Sequence, residues 1–517
     1  MSFNLATMLR ESRRKVPRKP LVYFGDDVVS YEDVDSASDR VAAGLISAGM
    51  ERGARIAVQL PNQPEFLFAY FGILKAGLVM VPLNPLLHPA EVAYQLADSD
   101  ASMLITLRAL TNQAVEAVST VGDVKIYAVG AAGSGDVTHE IRDFADLMQS
   151  RAHTEISATS ADDTAVLLYT SGTTGKPKGA ELTHYQLYMN CTVTGELLGY
   201  QPDDVSLAAL PMFHVFGLSS VLNTAVRFGT TLALVPRFEI EPVLDTVAAR
   251  RVTILPGVPT IFAGLLHADT SGHDLSSLRV GVSGGAAIPG ELLRAFEEKF
   301  DGMVILEGYG LSESASVATF NVSAQARKVR SIGKPIWGVE IRLVDDQGTV
   351  LEAGEENIGE LQISGHNIMK GYYNRPEATA EALRDGWFST GDLGYRDEDD
   401  YYFIVDRKKD LVVRGGYNVY PREVEEILYT HPAVAEAAVI GEDHDRLGEE
   451  VVAVISLKPG HTVEPEDLVT FAKERMAAYK YPRRVTIIDT LPKGSTGKIL
   501  KKELRAPSAR SMNGANS

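Results

Sequence analysis

A chain of 517 residues, 45% hydrophobic and 23% charged, is long enough for about two to four folding units and a sizeable core. Its formal charge of −18 argues against a nucleic-acid or anionic-membrane binder, which would need basic stripes, although a local pocket can still be positive. Cys191 is the only cysteine, so an intramolecular disulfide is excluded and a reducing compartment is the natural setting. Met1 to Lys15 is amphipathic and charged, unlike a signal peptide. No stretch reaches the apolar length of a membrane span, and the final Gly514-Ala515-Asn516-Ser517 is not a peroxisomal address. A soluble cytoplasmic protein is expected, with its oligomeric state left open.

In chain order, strands are predicted at Ala54–Leu60, Leu78–Leu83 and Met103–Thr106, with helices at Glu65–Lys75 and Pro89–Ala97 between them. Later come a strand at Thr231–Val235, a helix from Glu241, and strands at Val252–Leu255, Leu278–Val282 and Met303–Leu306. This alternation implies an α/β fold of parallel sheets flanked by helices. From about Val339 the pattern turns β-rich: Val339–Val344, a turn at Asp345–Gly348, then Gly359–Ser364. A compact α+β unit follows, with helices from Pro421 and over Pro465–Met476 and strands at Ala435–Ile440 and Val451–Leu457. A boundary is expected at Val405–Asp410, where charges interrupt two apolar runs. This gives a large domain over 1–405, a small one over 406–505 and a disordered, Ser/Asn/Ala-rich tail over 506–517.

The most informative segment runs Tyr169-Thr170-Ser171-Gly172-Thr173-Thr174-Gly175-Lys176-Pro177-Lys178-Gly179, directly after the apolar run Ala165–Leu168. Glycines let backbone approach phosphate oxygens, hydroxyls donate hydrogen bonds, and Lys178 adds positive charge. The Walker A spacing fails. A plain surface loop is the dull alternative, which this density of hydroxyls, glycines and lysines disfavours.

This segment resembles the phosphate-binding signature of the adenylate-forming superfamily, which holds acyl- and aryl-CoA ligases, adenylation domains and luciferases. Further signatures follow in the family's order: Pro211-Met212-Phe213-His214, Gly308-Tyr309-Gly310-Leu311-Ser312-Glu313, Thr390-Gly391-Asp392, Asp406-Arg407-Lys408-Lys409-Asp410 and Pro492-Lys493-Gly494-Ser495-Thr496-Gly497-Lys498. Together they span nearly the whole chain, closest in pattern to bacterial fatty-acyl-CoA ligases.

The resemblance implies ATP, Mg2+ and CoA as cofactor and co-substrates, and a small-molecule carboxylic acid as partner. It implies ATP or AMP contacts from Thr170, Ser171, Gly172, Thr173, Thr174 and Lys178. Tyr309 stacks on adenine, and Gly284, Gly285 and Ala286 line its other side, with Glu307, Gly308, Gly310 and Ser312 completing the nucleotide site. Asp392 takes the ribose hydroxyls, reinforced by Arg407, and Glu313 is the metal ligand. Ser312 stands where the common pattern has Thr, which keeps the hydroxyl. Lys498 is the mobile catalytic lysine, His214 closes the acyl site and shapes the thiol's entrance, and Lys409 is the hinge. Gly415 and Gly416 line the pantetheine tunnel, and Arg237 contacts CoA. Relatives place lysines where this chain has Val413 and Gly415, so its CoA contacts are expected to differ.

Taken singly these residues have dull readings: an Asp in Thr-Gly-Asp is usually a turn former, and a His among apolar residues a core residue. The acyl pocket is expected from His214, Val215, Phe216, Val258, Gly308, Leu311 and Val317, with space left by the glycines. No acidic residue near His214 could pair with an ammonium, which disfavours amino acids. Glu307 before Gly-Tyr-Gly resembles fatty-acyl ligases, where aryl ligases commonly carry Gln. A medium- or long-chain fatty acid is therefore expected, with a cinnamate-like aryl acid as the alternative. Loading of a carrier protein and luciferase-type oxygenation share these motifs. Gly281-Val282-Ser283-Gly284-Gly285 also fits a hydrolase nucleophile elbow, although the following residues delay the helix such an elbow needs.

Overall fold

Helix starts follow sequence signals closely. The helices Pro64–Lys75, Pro89–Asp98, Pro259–His267, Pro421–Tyr429 and Pro465–Lys473 all begin on proline, whose fixed φ suits the first turn and whose missing N–H has no partner to lose there. Tyr31–Ser47 instead begins with a reciprocal cap, in which the Ser30 hydroxyl accepts from the Asp33 N–H and the Asp33 carboxylate accepts from the Ser30 N–H. The computed structural model describes residues 2–130, 141–170, 176–494 and 498–505.

Two large sheets carry the first two thirds of the chain. In the eight-stranded sheet, Arg55–Gln59 lies parallel to Val79–Pro82 and to Ala101–Leu107, as the strand–helix alternation requires. Thr164–Thr170 joins Val79–Pro82 in parallel and then doubles back antiparallel to Lys178–Thr183, so that Thr170 faces Lys178 across a hairpin. The nine-stranded sheet has a parallel centre of Thr231–Leu234, Val205–Ala208, Ile254–Gly257, Val280–Ser283 and Val304–Tyr309. The carboxyl ends of the last two strands therefore emerge side by side, a place where open α/β sheets bind ligands.

The β-rich turn of the sequence is a five-stranded sheet in which Val339–Val344 and Gly359–Gly365 pair antiparallel, followed by Trp387–Arg396 and Tyr402–Arg407. Strand Tyr402–Arg407 still belongs to this sheet, whereas Val412–Arg414 belongs to another, built with Tyr417–Val419, Val434–His444, Gly448–Leu457 and Arg484–Ile487. The chain crosses between the two over residues 408–411. The last sheet has its own core, with Val412, Val424, Leu428, Ala453 and Leu468 buried together. Asp406 is tied to both sides: its carboxylate accepts from Arg407 N at 2.7 Å and from Arg422 N at 2.8 Å, at the start of helix Pro421–Tyr429. The expected tail, 506–517, lies outside the described residues.

One buried charge network holds the N-terminal helices together. Lys75 is 0% exposed, and its ammonium reaches Asp35 at 2.6 Å, Asp39 at 2.7 Å and the Ser38 hydroxyl at 2.8 Å. Arg10, from helix Thr7–Lys15, binds the same two carboxylates. Buried charges are tolerable only when paired, so removing one partner costs far more than the pair itself contributes. Lys75→Ala is expected to lower the unfolding free energy by about 3–5 kcal/mol in a denaturant titration, and a loss below about 1 kcal/mol would show that Arg10 alone satisfies both carboxylates.

Candidate active site

The floor of the site is backbone that other backbone has to approach. A side chain at Gly310 would overlap the Ser316 carbonyl oxygen, and one at Gly308 would come 2.7 Å from the Phe320 ring. The expected role of Gly308 and Gly310 as room for an acyl chain is thus corrected. Their missing side chains face the protein itself, because the strand Val304–Tyr309 packs on its antiparallel neighbour Thr319–Phe320. The apolar residues expected at the acyl site pack on two other glycines. A Cβ at Gly284 would stand 3.0 Å from the Phe216 ring and 3.5 Å from the Gly308 carbonyl oxygen, and one at Gly285, whose φ is +76°, 3.5 Å from Val258. Gly284, Gly285, Phe216, Val258 and the Gly308 backbone therefore meet, with Ala286 following on the same exposed turn. Val215 and Val317 are buried, while Leu311 is only partly covered.

Phe216 opens a π-helix, Phe216–Asn223, directly after His214. Such wide turns recur at functional sites. The Phe216 N–H donates to His214 Nδ1 at 3.3 Å, so the neutral ring carries its proton on Nε2. Burial, and then the Lys498 ammonium, lower the His214 pKa to about 4, so the imidazole is neutral at physiological pH.

Asp392 and Arg407 are register partners on adjacent antiparallel strands. The Asp392 carboxylate accepts from the Tyr309 hydroxyl at 2.6 Å and from Arg407 Nε at 3.1 Å. Burial works against the Arg407 charge, but Asp392, and after it Tyr309, Asp410 and Glu313, hold its pKa above the ordinary value. Glu307 points elsewhere. Its carboxyl is buried, with Ile288 N at 3.4 Å, and burial raises it to about 7 against the opposing charge of Arg422 from the small domain.

Lys498 completes the cluster from the small domain. Its side chain is open to solvent, yet the walls around it are dense. That partial burial, then the charges of Arg407 and Lys409, lower its pKa to about 8 against the attraction of Asp392 and Asp410. Lys409 sits in the exposed turn 408–410, where the chain changes sheets, and burial followed by Arg407 lowers its pKa too. Gly415 and Gly416 form the exposed turn between Val412–Arg414 and Tyr417–Val419, with φ of 58° and 84° and Gly415 N donating to Leu447 O. Arg237 is exposed after strand Thr231–Leu234. Neither is brought into the Lys498 cluster by the contacts described.

The phosphate hairpin is described only at its base, where Thr170 ends one strand and Lys178 opens the next. Ser171, Gly172, Thr173 and Thr174 lie outside the described residues, as do Ser495, Thr496 and Gly497. Lys178 Nζ stands 5.1 Å from the centre of the Tyr372 ring, and the Tyr372 hydroxyl donates to Glu313 Oε1 at 2.9 Å. Glu313 is 9% exposed, with Ser312 beside it at the start of the same 3-10 turn, and its second carboxylate oxygen has no described partner. Among the described residues no group of three or more His, Cys, Asp or Glu could enclose a metal. A single hard carboxylate with a free oxygen fits Mg2+, which takes most of its ligands from water and phosphate.

Residues that sequence reasoning missed lie mainly behind Glu313. Ala315 and Ser316 adopt φ of 54° and 115°, a strained conformation for residues with side chains. The Ser220–Ser316 hydroxyl contact at 2.7 Å and the Asn190 and Asn367 amides on the Val317 carbonyl, at 2.8 and 2.9 Å, hold that loop. The hydrolase alternative fails on geometry. Ser283 ends a strand fully buried, outside the left-handed region that an elbow needs, and the next helix begins only at Gly290.

A phosphate-type hairpin, an Asp–Arg–Tyr cluster at the sheet edge and a lysine delivered by a separate small domain define an adenylate-forming enzyme. Residues 9–373 match the AMP-binding enzyme family, and residues 423–498 match the AMP-binding enzyme C-terminal domain. The chain is 37% identical to a long-chain-fatty-acid–CoA ligase of Bacillus subtilis (strain 168), over 97% of this chain and 94% of that one. It is likewise 37% identical to a feruloyl-CoA synthase of Amycolatopsis sp, over 95% and 96%. The structure is similar to that of the anthranilate CoA ligase AuaEII in complex with anthranoyl-AMP, with a TM-score of 0.91, 30% identity, and coverage of 98% and 97%. The chain belongs to the AMP-binding enzyme family, within the adenylate-forming superfamily, and is an AMP-forming acid–thiol ligase. Among the described residues no helix is long and apolar enough to cross a membrane.

The charge balance around Lys498 can be tested without substrate. Arg407→Ala removes a cation beside Lys498 and leaves Asp392 free to attract it, so both effects raise the lysine's pKa. Amine-reactive labelling of Lys498, followed by mass spectrometry across pH, is expected to move its midpoint upward from about 8; an unchanged or lowered midpoint contradicts the cluster.

Proposed function

We propose that this chain activates a medium- or long-chain fatty acid through an acyl-adenylate and transfers the acyl group to CoA. The observation that carries the reading is the Tyr309–Asp392–Arg407 cluster, with the small-domain Lys498 among the charges acting on it and on His214. In the first half-reaction a carboxylate oxygen attacks the α-phosphorus of ATP, the bond to the bridging oxygen breaks, and pyrophosphate leaves. Both reactants are anionic, so positioning and charge neutralisation carry the catalysis. Lys498 opposes their repulsion and stabilises charge developing at the α-phosphate. Tyr309 with Gly284, Gly285 and Ala286 bounds the base, Asp392 and Arg407 hold the ribose, and the Thr170–Lys178 hairpin takes the phosphates. Glu313 would hold Mg2+, which neutralises phosphate charge when bound. His214, held neutral, acts as a wall of the acyl site. In the second half-reaction the CoA thiol attacks the acyl carbonyl, a proton leaves the sulfur, and AMP departs. Rotation about Lys409 exchanges Lys498 for the turn Gly415-Gly416, and the exposed Arg237 meets CoA's phosphates.

A fatty acid is favoured by Glu307 before Gly308-Tyr309-Gly310, by the apolar Phe216 and Val258 against Gly284 and Gly285, and by the likeness to the fatty-acid ligase of Bacillus subtilis. An aryl acid is the second reading, because the feruloyl and anthranilate enzymes are nearly as similar. Pyrophosphate release across a carboxylate panel, with and without CoA, separates the two. Palmitate and octanoate are expected to exceed cinnamates by at least about tenfold in kcat/KM, and the reverse order overturns the fatty-acid reading.

Lys498→Ala is expected to slow adenylation by about 10²–10³-fold while thioester formation from synthetic acyl-adenylate and CoA stays near normal. Equal damage to both half-reactions removes the two-conformation mechanism. A lysine that must be charged also sets an alkaline limit. Protonated Lys498 predominates below about 8 and neutral Lys498 above it, so kcat/KM for adenylation is expected to fall as pH rises through that value. A flat profile to pH 9.5 would show that the charge is not required.

A further inference from the structure

The short strand Gly371–Tyr372 adds to the edge of the phosphate hairpin, pairing Gly371 with Glu181 and Tyr372 with Ala180. Ala180 is two residues from Lys178 and therefore on the same face, which makes Lys178 the diagonal neighbour of Tyr372 across the strands. The ammonium stands over the ring, 5.1 Å from its centre, and the hydroxyl at the tip of the same ring donates to Glu313 Oε1 at 2.9 Å. The surrounding backbone is pinned on every side. Met369 N donates to the Glu313 carbonyl at 2.7 Å, Tyr372 N to Thr379 Oγ1 at 2.9 Å, and Tyr373 N to the Gly179 carbonyl at 2.8 Å. Among the described residues neither Lys178 nor Glu313 has an ion-pair partner, although they hold opposite charges against one side chain.

Two such groups in a partly buried site attract each other strongly, and a flexible lysine would close on the carboxylate if nothing stood between them. An ion pair there would mask the phosphate cation and the metal ligand together. We propose that Tyr372 is a positioning residue that keeps Lys178 at its ring face and Glu313 at its hydroxyl, so that each serves the triphosphate and its bound cation instead of the other. This rests on the adenylation reading for what Lys178 and Glu313 bind. The ring supplies the spacing through a cation–π contact and bulk, and the hydroxyl orients the carboxylate and leaves its other oxygen for the metal.

The two functions of the side chain come apart in two variants. Tyr372→Phe keeps the ring and loses the hydroxyl, whereas Tyr372→Leu loses both. Mn2+, standing in for Mg2+, is titrated against the enzyme with a non-hydrolysable ATP analogue and no carboxylic acid, and free Mn2+ is followed by electron paramagnetic resonance. Tyr372→Phe is expected to weaken Mn2+ binding about tenfold while affinity for the analogue without metal stays within about twofold. Tyr372→Leu is expected to weaken metal-free analogue binding as well, because Lys178 then pairs with Glu313. Adding Glu313→Gln to that variant should restore it, a recovery that simple loss of structure cannot produce. Mn2+ affinity of Tyr372→Phe within twofold of the wild type overturns the proposal, as does failure of Glu313→Gln to recover analogue binding in a Tyr372→Leu protein that melts normally. If Tyr372→Leu does not fold, the Phe variant decides alone. Failure of the adenylation reading would show separately, as no pyrophosphate release by the wild type from any carboxylic acid.

Discussion

Asp392 and Arg407 face each other across two antiparallel strands, and the cluster proposed as the catalytic centre is arranged around that pair. Because they are register partners, sheet hydrogen bonding sets their spacing, and neither depends on a loop to find the other. The Tyr309 hydroxyl joins the pair from the carboxyl end of a strand in the nine-stranded sheet, which ties that sheet to the five-stranded one. Arg407 is also the last residue of its strand before the chain leaves for the small domain. The residue that neutralises Asp392 thus also marks where the crossing turn starts.

The chain as a whole is acidic, with a formal charge of −18, but the centre concentrates Arg407, Lys409 and Lys498 in one place. Their mutual repulsion is tolerable because Asp392, Asp410 and Glu313 stand among them. Dense surroundings first, and then the cations Arg407 and Lys409, leave Lys498 easier to deprotonate than a free lysine. Asp406 links the two domains mechanically, with one oxygen on each side of the crossing.

The glycines show how spacing in sequence can mislead about space in the fold. Gly308 and Gly310 suggest room for a substrate, yet they are small because Phe320 and the Ser316 carbonyl lie against them. The apolar residues expected at the acyl site, Phe216 and Val258, pack instead on Gly284 and Gly285. Packing partners on other elements decide which side of a strand a missing side chain opens, and the spacing of the glycines does not carry that information.

Strand–helix alternation, proline helix starts and the ordered motifs were legible in the amino-acid sequence, because periodicity and backbone chemistry act over a few residues. The α/β class, the β-rich insert and the small α+β unit all followed from it. Tertiary structure alone decided that Tyr372 contacts both Lys178 and Glu313, that Ser220, Asn190 and Asn367 brace the strained loop at Ala315 and Ser316, and that Lys75 is neutralised by Asp35 and Asp39. Each of these contacts joins residues far apart in the chain, and the energy that selects them is paid out only on burial, where an unpaired charge or polar group has no water to turn to.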